Sequence, residues 1–207
     1  MKNNKLRCGE IILMLTLAVT MVWGVWSLQE QDALERKMIR LHVVANSDTA
    51  DDQALKLQVR DEVLAQATSI LEESRDMQQA AEHLEQALGE IEETARQKIS
   101  TEGYDYAVSA HLEQTEFPTK EYEGFSLPAG EYLALRVVIG EGTGQNWWCV
   151  VFPPLCTAAA IDLEETAIAT GLGEGDLSLI TEESQGYVLK FRSLELWESL
   201  RQWLGKH

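Results

Sequence analysis

Asp48-Thr49-Ala50 follows an apolar run, as the catalytic turn of an aspartic protease does. That chemistry needs two carboxylates sharing one proton. One such turn exists here, so a second chain would have to supply its mate, and short polar residues at a helix start already account for Asp48 and Thr49 as caps. His42 could act as a general base paired with Asp48 or Asp105, which would make the chain an exported hydrolase of peptide or cell-wall substrates. No Ser or Cys stands in a recognisable nucleophile turn, and a strand histidine bonded to a neighbour is the better reading. Cys149 and Cys156, in CVVFPPLC, flank a Pro-Pro turn. A disulfide and two small core cysteines explain them equally well, and a zinc pair less well, because no second pair of ligands is near. Gly140, Gly142 and Gly144 are followed neither by Lys-Ser/Thr nor by a helix start, so no phosphate motif is met. No cofactor and no metal site is expected.

The elements that would position these residues follow from periodicity. In Ile39–Ala45, residues Ile39, Leu41, Val43 and Ala45 alternate with Arg40, His42 and Val44, the period of a strand with one buried face. Asn46 to Thr49 then offer acceptors to the free amides of a helix start. Leu55, Val59, Val63 and Ile70, with Leu57, Leu64 and Leu71, form the stripe of a first helix. Met77, Ala81, Leu84, Leu88, Ile91 and Ala95 form that of a second. Tyr104 to Leu112 alternates as another strand. Residues 116–130 (EFPTKEYEGFSLPAG) carry four Pro or Gly breakers and read as a shaped loop. EYLALRVVI (131–139) and WWCVVF (147–152) predict a hairpin closed by GEGTGQN. Further on, the pattern predicts a short helix over 156–169, an acidic loop GLGEGD, a strand YVLKF (187–191) and a terminal helix over 194–204.

The chain has 207 residues and a formal charge of −17. Lys2, Lys5 and Arg7 precede Ile11–Leu28, an eighteen-residue run whose polar members are Thr16, Thr20 and Ser27. This is a signal segment near the lower length limit for a bilayer span, and without a clear small-x-small site an uncleaved anchor is preferred to a cleaved peptide. Cys8 lies before the run, where a lipoprotein cysteine cannot. The positive-inside tendency leaves the N-terminus in the cytoplasm and everything from about Gln29 outside. Residues 1–28 hold +2, so the exported part carries −19. Such a surface repels nucleic acid and anionic lipid and suits a protein partner. The organisation expected is 1–28 signal peptide or anchor, 29–38 spacer and 39–207 one α+β domain. That domain would hold a mostly antiparallel sheet of four or five strands with two long helices on one face.

The stretches RLHVVANSDTADDQALKLQVRDEVL, FPTK, LPAGEYLALRVVIGEGTGQNWWCVVFPPLC and KFRSLELWE together closely resemble the stage II sporulation protein R family. The resemblance implies a developmental signal of endospore-forming bacteria. It would be made in the forespore, exported into the space between forespore and mother cell, and needed there for the mother-cell membrane aspartic protease SpoIIGA to process pro-sigma-E. It transfers no catalytic residues. Partner-binding candidates therefore come from placement: Asn46, Ser47 and Asp48 in one loop, Phe117, Pro118, Thr119 and Lys120 in another, and Trp147 and Trp148, which adjacency on a strand sends to opposite faces.

Overall fold

A computed structural model describes residues 2–122, 125–156, 170 and 172–181, with backbone alone for 2–9, 23–28, 30, 174, 178 and 179. The chain divides into two units, Met1–Leu34 and Glu35–His207. The first unit holds nearly all of helix α1 (Lys2–Glu35), on which Ile11, Leu13, Met14 and Val22 are exposed by 56% to 71%. Apolar side chains on several sides of one helix have no face to hide. Among the described residues no helix is long and apolar enough to cross a membrane, and the expected segment runs past the described side chains.

In the second unit, β1 (Ile39–Val44) leads into α2 (Ala50–Leu71) and α3 (Met77–Thr101). Then come β2 (Val108–Phe117), β3 (Lys120–Tyr122), β4 (Phe125–Leu127), β5 (Gly130–Ile139), β6 (Asn146–Phe152) and α4 (Glu174–Ile180). Helix α2 starts where Thr49 Oγ1 accepts from Asp52 N at 3.3 Å, and Asp51 and Asp52 complement the dipole of its first turn. In α3, Asp76 accepts from Gln79 N at 2.9 Å. Gly103, at φ +86°, ends that helix in the left-handed conformation that glycine adopts without strain.

Leu55, Val59, Val63, Ala67 and Leu71 of α2 and Ala80, Leu84, Ile91, Ala95 and Ile99 of α3 meet Leu41, Val43, Leu135, Val137 and Val151 in one buried core. Each large aliphatic side chain so buried contributes about 1.5–3 kcal/mol. Two long helices on a sheet face in an α+β domain are as expected. The stripe differs in detail, because Ala67 is buried where Leu57 is 40% exposed.

The sheet has four strands in the order β2-β5-β1-β6 and is mixed: two of its three pairings are antiparallel, as expected, and one is parallel. β1 runs parallel to β5 and antiparallel to β6, while β2 is antiparallel to β5. The expected hairpin of 131–139 with 147–152 is therefore overturned. β1 lies between the two strands, and the connecting loop crosses its end, with Gly144 N donating to Ala45 O at 3.0 Å and Thr143 N to Asn46 O at 3.2 Å. Glycine permits that crossing, since a Cβ on Gly144 would lie 2.3 Å from Ser47 O and one on Gly140 2.1 Å from Asn46 Oδ1. Burial of all six β1 residues also replaces the expected one-sided strand, because a central strand is covered on both faces. The loop expected over 116–130 contains the end of β2 and the small β3–β4 sheet, whose register pairs Lys120 with Leu127 and Tyr122 with Phe125. The expected GLGEGD loop enters a helix, where Asp176 Oδ2 accepts from Gly173 N at 2.8 Å. The helix expected over 156–169, apart from Cys156, and the elements expected over 187–191 and 194–204 lie outside the described residues.

Candidate cationic-aromatic site

The alternation of β1 sends Arg40, His42 and Val44 to the sheet face opposite the helices. Strand register places Arg136 and Trp148 beside His42, and Ala134 and Val150 beside Arg40. Phe117 and Tyr132 come from the neighbouring strands, and β3–β4 reaches this face through Tyr122 and Lys120. Arg40 is 0% exposed. Its guanidinium carbon lies 4.0 Å from the Phe117 ring centroid and 4.8 Å from that of Tyr132, within cation–π range. Its Nη2 donates to Tyr122 Oη at 2.7 Å, while Nε and Nη1 have no hydrogen-bond partner. Burial raises the pKa of both tyrosines, so each phenol stays neutral beside the cation. Tyr132 Oη donates to Pro128 O at 2.9 Å.

His42 lies next along the same face. Its ring centroid is 5.9 Å from Phe117 and 6.1 Å from Trp148, and Nε2 is 2.8 Å from Asn146 Oδ1, which accepts. Burial lowers its pKa, with the Asn146 hydrogen bond acting in the opposite direction. The imidazole is thus held neutral against an amide. It does not pair with Asp48, whose Oδ1 accepts from Gln145 N at 2.7 Å. Lys120 Nζ sits 5.3 Å over the Trp148 ring, and Arg136 pairs with Glu113 at 3.1 Å. In a chain of net charge −17, this face gathers Arg40, Arg136 and Lys120 around a buried aromatic cluster.

The sequence-derived candidates divide between two places. Phe117, Lys120 and Trp148 meet here, with Phe117 buried. Trp147 falls on the helix face, half-buried, with the Arg60 guanidinium 4.7 Å from its ring. Asn46, Ser47 and Asp48 form a different structure at the end of β1. Asn46 Nδ2 and Ser47 Oγ donate to Asp52 Oδ2 at 2.8 and 2.5 Å, and Asn46 Oδ1 accepts from Glu141 N at 3.0 Å. The Ser47 and Asn46 hydrogen bonds hold the Asp52 carboxyl below its usual range. These polar groups knot the α2 start to the 140–146 crossing loop. The helix cap itself is Thr49, not Asp48. Pro118 and Thr119 lead into β3, where Thr119 Oγ1 accepts from Ala129 N at 3.1 Å. Cys149 and Cys156 are joined as a disulfide with Cα atoms 6.2 Å apart, and Cys149 faces the helix core.

Arg40, Tyr122 and Tyr132 were not among the sequence candidates. Arg40 read as the outward residue of a half-buried strand, and Tyr122 as part of a loop. The aromatic density of EYEGF and EYL, on either side of the breakers, was the available signal that this segment covers something.

No group of three or more His, Cys, Asp or Glu able to hold a metal occurs among the described residues. No solved structure matches the chain. A family model described as Stage II sporulation protein R (spore_II_R) matches residues 35–162. The Stage II sporulation protein R of Bacillus subtilis (strain 168) is 34% identical over 160 residues, which cover 75% of this chain and 71% of that protein. The match spans the sheet, both long helices and the Arg40 cluster, and the chain belongs to the stage II sporulation protein R family of sporulation signalling proteins.

Proposed function

We propose that the chain is a non-enzymatic signal. It leaves the forespore through its N-terminal segment and, from the intermembrane space, activates the membrane aspartic protease SpoIIGA so that pro-sigma-E is processed. The observation that carries this reading is the family match over residues 35–162, which begins just after the apolar run and covers the acidic folded unit. The exposed apolar side chains of α1 support attachment to a bilayer, and net charge supports a protein partner over lipid or nucleic acid. Activation works by binding energy: the domain must bind the active arrangement of the protease better than the inactive one. A differential of about 3 kcal/mol raises the active-to-inactive ratio more than about a hundredfold.

The test reconstitutes the full chain with the membrane-embedded protease and the sigma-E precursor, the chain being added from the side opposite the precursor. Precursor cleavage is expected to rise with added chain. No rise at saturation would refute the proposal. A hydrolase would instead turn over a peptide or cell-wall substrate without the protease and lose that turnover in a folded His42→Ala variant.

A further inference from the structure

We propose that the open end of the sheet face opposite the helices, a row of His111, Arg136, His42 and Trp148, docks an acidic segment of the protein partner. Arg136 receives a carboxylate there, and Trp148 the apolar side chain beside it. This deepens the signalling reading and rests on it. Strand register sets the row side by side: His111 opposite Arg136, Arg136 opposite His42, and His42 opposite Trp148. All four turn away from α2 and α3. At Arg40 the same face is closed, but one row further on it meets solvent. His111 and Asn146 are exposed, Arg136, Val138 and Trp148 are half-exposed, and His42 is the buried floor between them. A partner reaches the exposed side chains with the fold as it stands.

Charge selects the occupant. Among the side chains that the four strands turn to this face, Glu113 is the one carboxylate, against Arg40 and Arg136. Lys120 Nζ adds a third cation, 5.3 Å over the Trp148 ring. Arg40 is buried and touches no partner, yet no carboxylate pairs with it among the described residues, so its field reaches the open row. In a chain of formal charge −17, an acidic segment is repelled by the surface at large and attracted here. Two copies of the chain repel each other through the same net charge, which disfavours self-association on this face.

The side-chain types fit the same task. Arginine and tryptophan carry much of the binding energy at protein interfaces, and here both stand in one accessible row. Arg136 Nη1 meets Glu113 Oε1 at 3.1 Å, with the two side chains 36% and 44% exposed. An ion pair so open to water contributes little, so an incoming carboxylate displaces Glu113 at small cost. The planar guanidinium then grips it through two parallel N–H donors, which a lysine could not do. The indole of Trp148 offers an adjoining apolar surface for an aromatic or aliphatic neighbour of that carboxylate.

The experiment uses the full chain in detergent micelles and a fluorescently labelled peptide, acetyl-Glu-Glu-Phe-Glu-Glu amide, with the Gln-for-Glu peptide as control, read by anisotropy. The wild type is expected to bind the acidic peptide and not the control. Arg136→Gln and Trp148→Ala are each expected to bind about tenfold more weakly. Glu113→Gln, which removes the competing carboxylate, is expected to bind about threefold more tightly, a gain that misfolding cannot produce. Arg96→Gln removes the same charge from α3, where Arg96 pairs with Glu92 and Glu93, and is expected to bind as the wild type does. Four results would each overturn the proposal: no binding by the wild type, equal binding by Arg136→Gln, weaker binding by Glu113→Gln, or a loss in Arg96→Gln as large as in Arg136→Gln. A dimer in sedimentation that Arg136→Gln dissociates would also overturn it, by giving the face to a second copy. The cleavage assay separates these failures from that of the signalling reading. A wild type that does not stimulate cleavage refutes signalling, whereas equal stimulation by wild type and Arg136→Gln across a titration of the chain refutes the docking surface alone.

Discussion

The two faces of the central sheet are covered in opposite ways. On one, α2 and α3 lay continuous aliphatic stripes across Leu41, Val43, Leu135 and Val137. On the other, a fully buried arginine, a histidine held neutral and the rings of Phe117, Tyr132 and Trp148 lie together, with Tyr122 and Lys120 of the small β3–β4 sheet against them. A helix-covered face stabilises through area removed from water, which is non-directional and tolerant of detail. The opposite face depends on a few directed contacts and leaves the Arg40 Nε and Nη1 donors unmet. Sites that break the rule of satisfied buried polar groups are where function is to be sought.

Four substitutions would break or sharpen this contrast. Leu84→Ala, in the middle of the helix face, is expected to lower unfolding free energy by about 2–5 kcal/mol in urea denaturation, with signalling per folded molecule unchanged. Asn46→Ala, which strips the knot of its contacts with Asp52 and the 140–146 loop, is expected to lower it by about 1–3 kcal/mol. An unchanged denaturation midpoint would mean the knot contributes nothing. Arg40→Met is expected to change stability by less than about 1 kcal/mol or to raise it, read in the same denaturation. A loss as large as that of Leu84→Ala would place Arg40 with the structural face after all.

The smallest effect is the pH dependence of His42. Its folded pKa is lowered by burial below the ordinary value of 6.5, so the unfolded chain binds more protons between those two values. Stability is then highest where the ring is neutral in both states and falls as pH drops below about 6.5 toward the folded value. Denaturation midpoints measured from about pH 7.5 to about 5.5 should decline less in His42→Gln than in wild type. Asp52 acts in a separate window. Its pKa is depressed by the Ser47 and Asn46 hydrogen bonds, so its contribution is present above its ordinary value of 3.8 and is lost as pH falls through the lower folded value.

The helix face was legible in the residue spacing because an aliphatic stripe of period 3.6 has few alternatives to packing on a sheet. β1, the N-terminal polar turn of α2 and the start of the 131–139 strand were legible for similar local reasons. The knot was legible only in part. Asn46, Ser47 and Asp48 were marked as polar turn formers, but Asn46 and Asp48 also find partners at positions 141 to 145, and nothing local in either segment names the other. The hairpin expected of 131–139 and 147–152 is the instructive error. A short glycine-rich link ordinarily joins neighbouring strands, yet here the same glycines let the link pass over the end of β1, which inserts between them.

Residue order alone sufficed for the acidic balance, the α+β class and the two long helices, since each depends on composition or on interactions within a few positions of the chain. Which strands became neighbours, whether Arg40 faced water or a closed aromatic cage, and how Phe117, Lys120 and Trp148 came to one place were settled by folding in three dimensions. Those outcomes rest on contacts between segments tens of residues apart, whose competing pairings differ in energy only once the whole sheet is assembled.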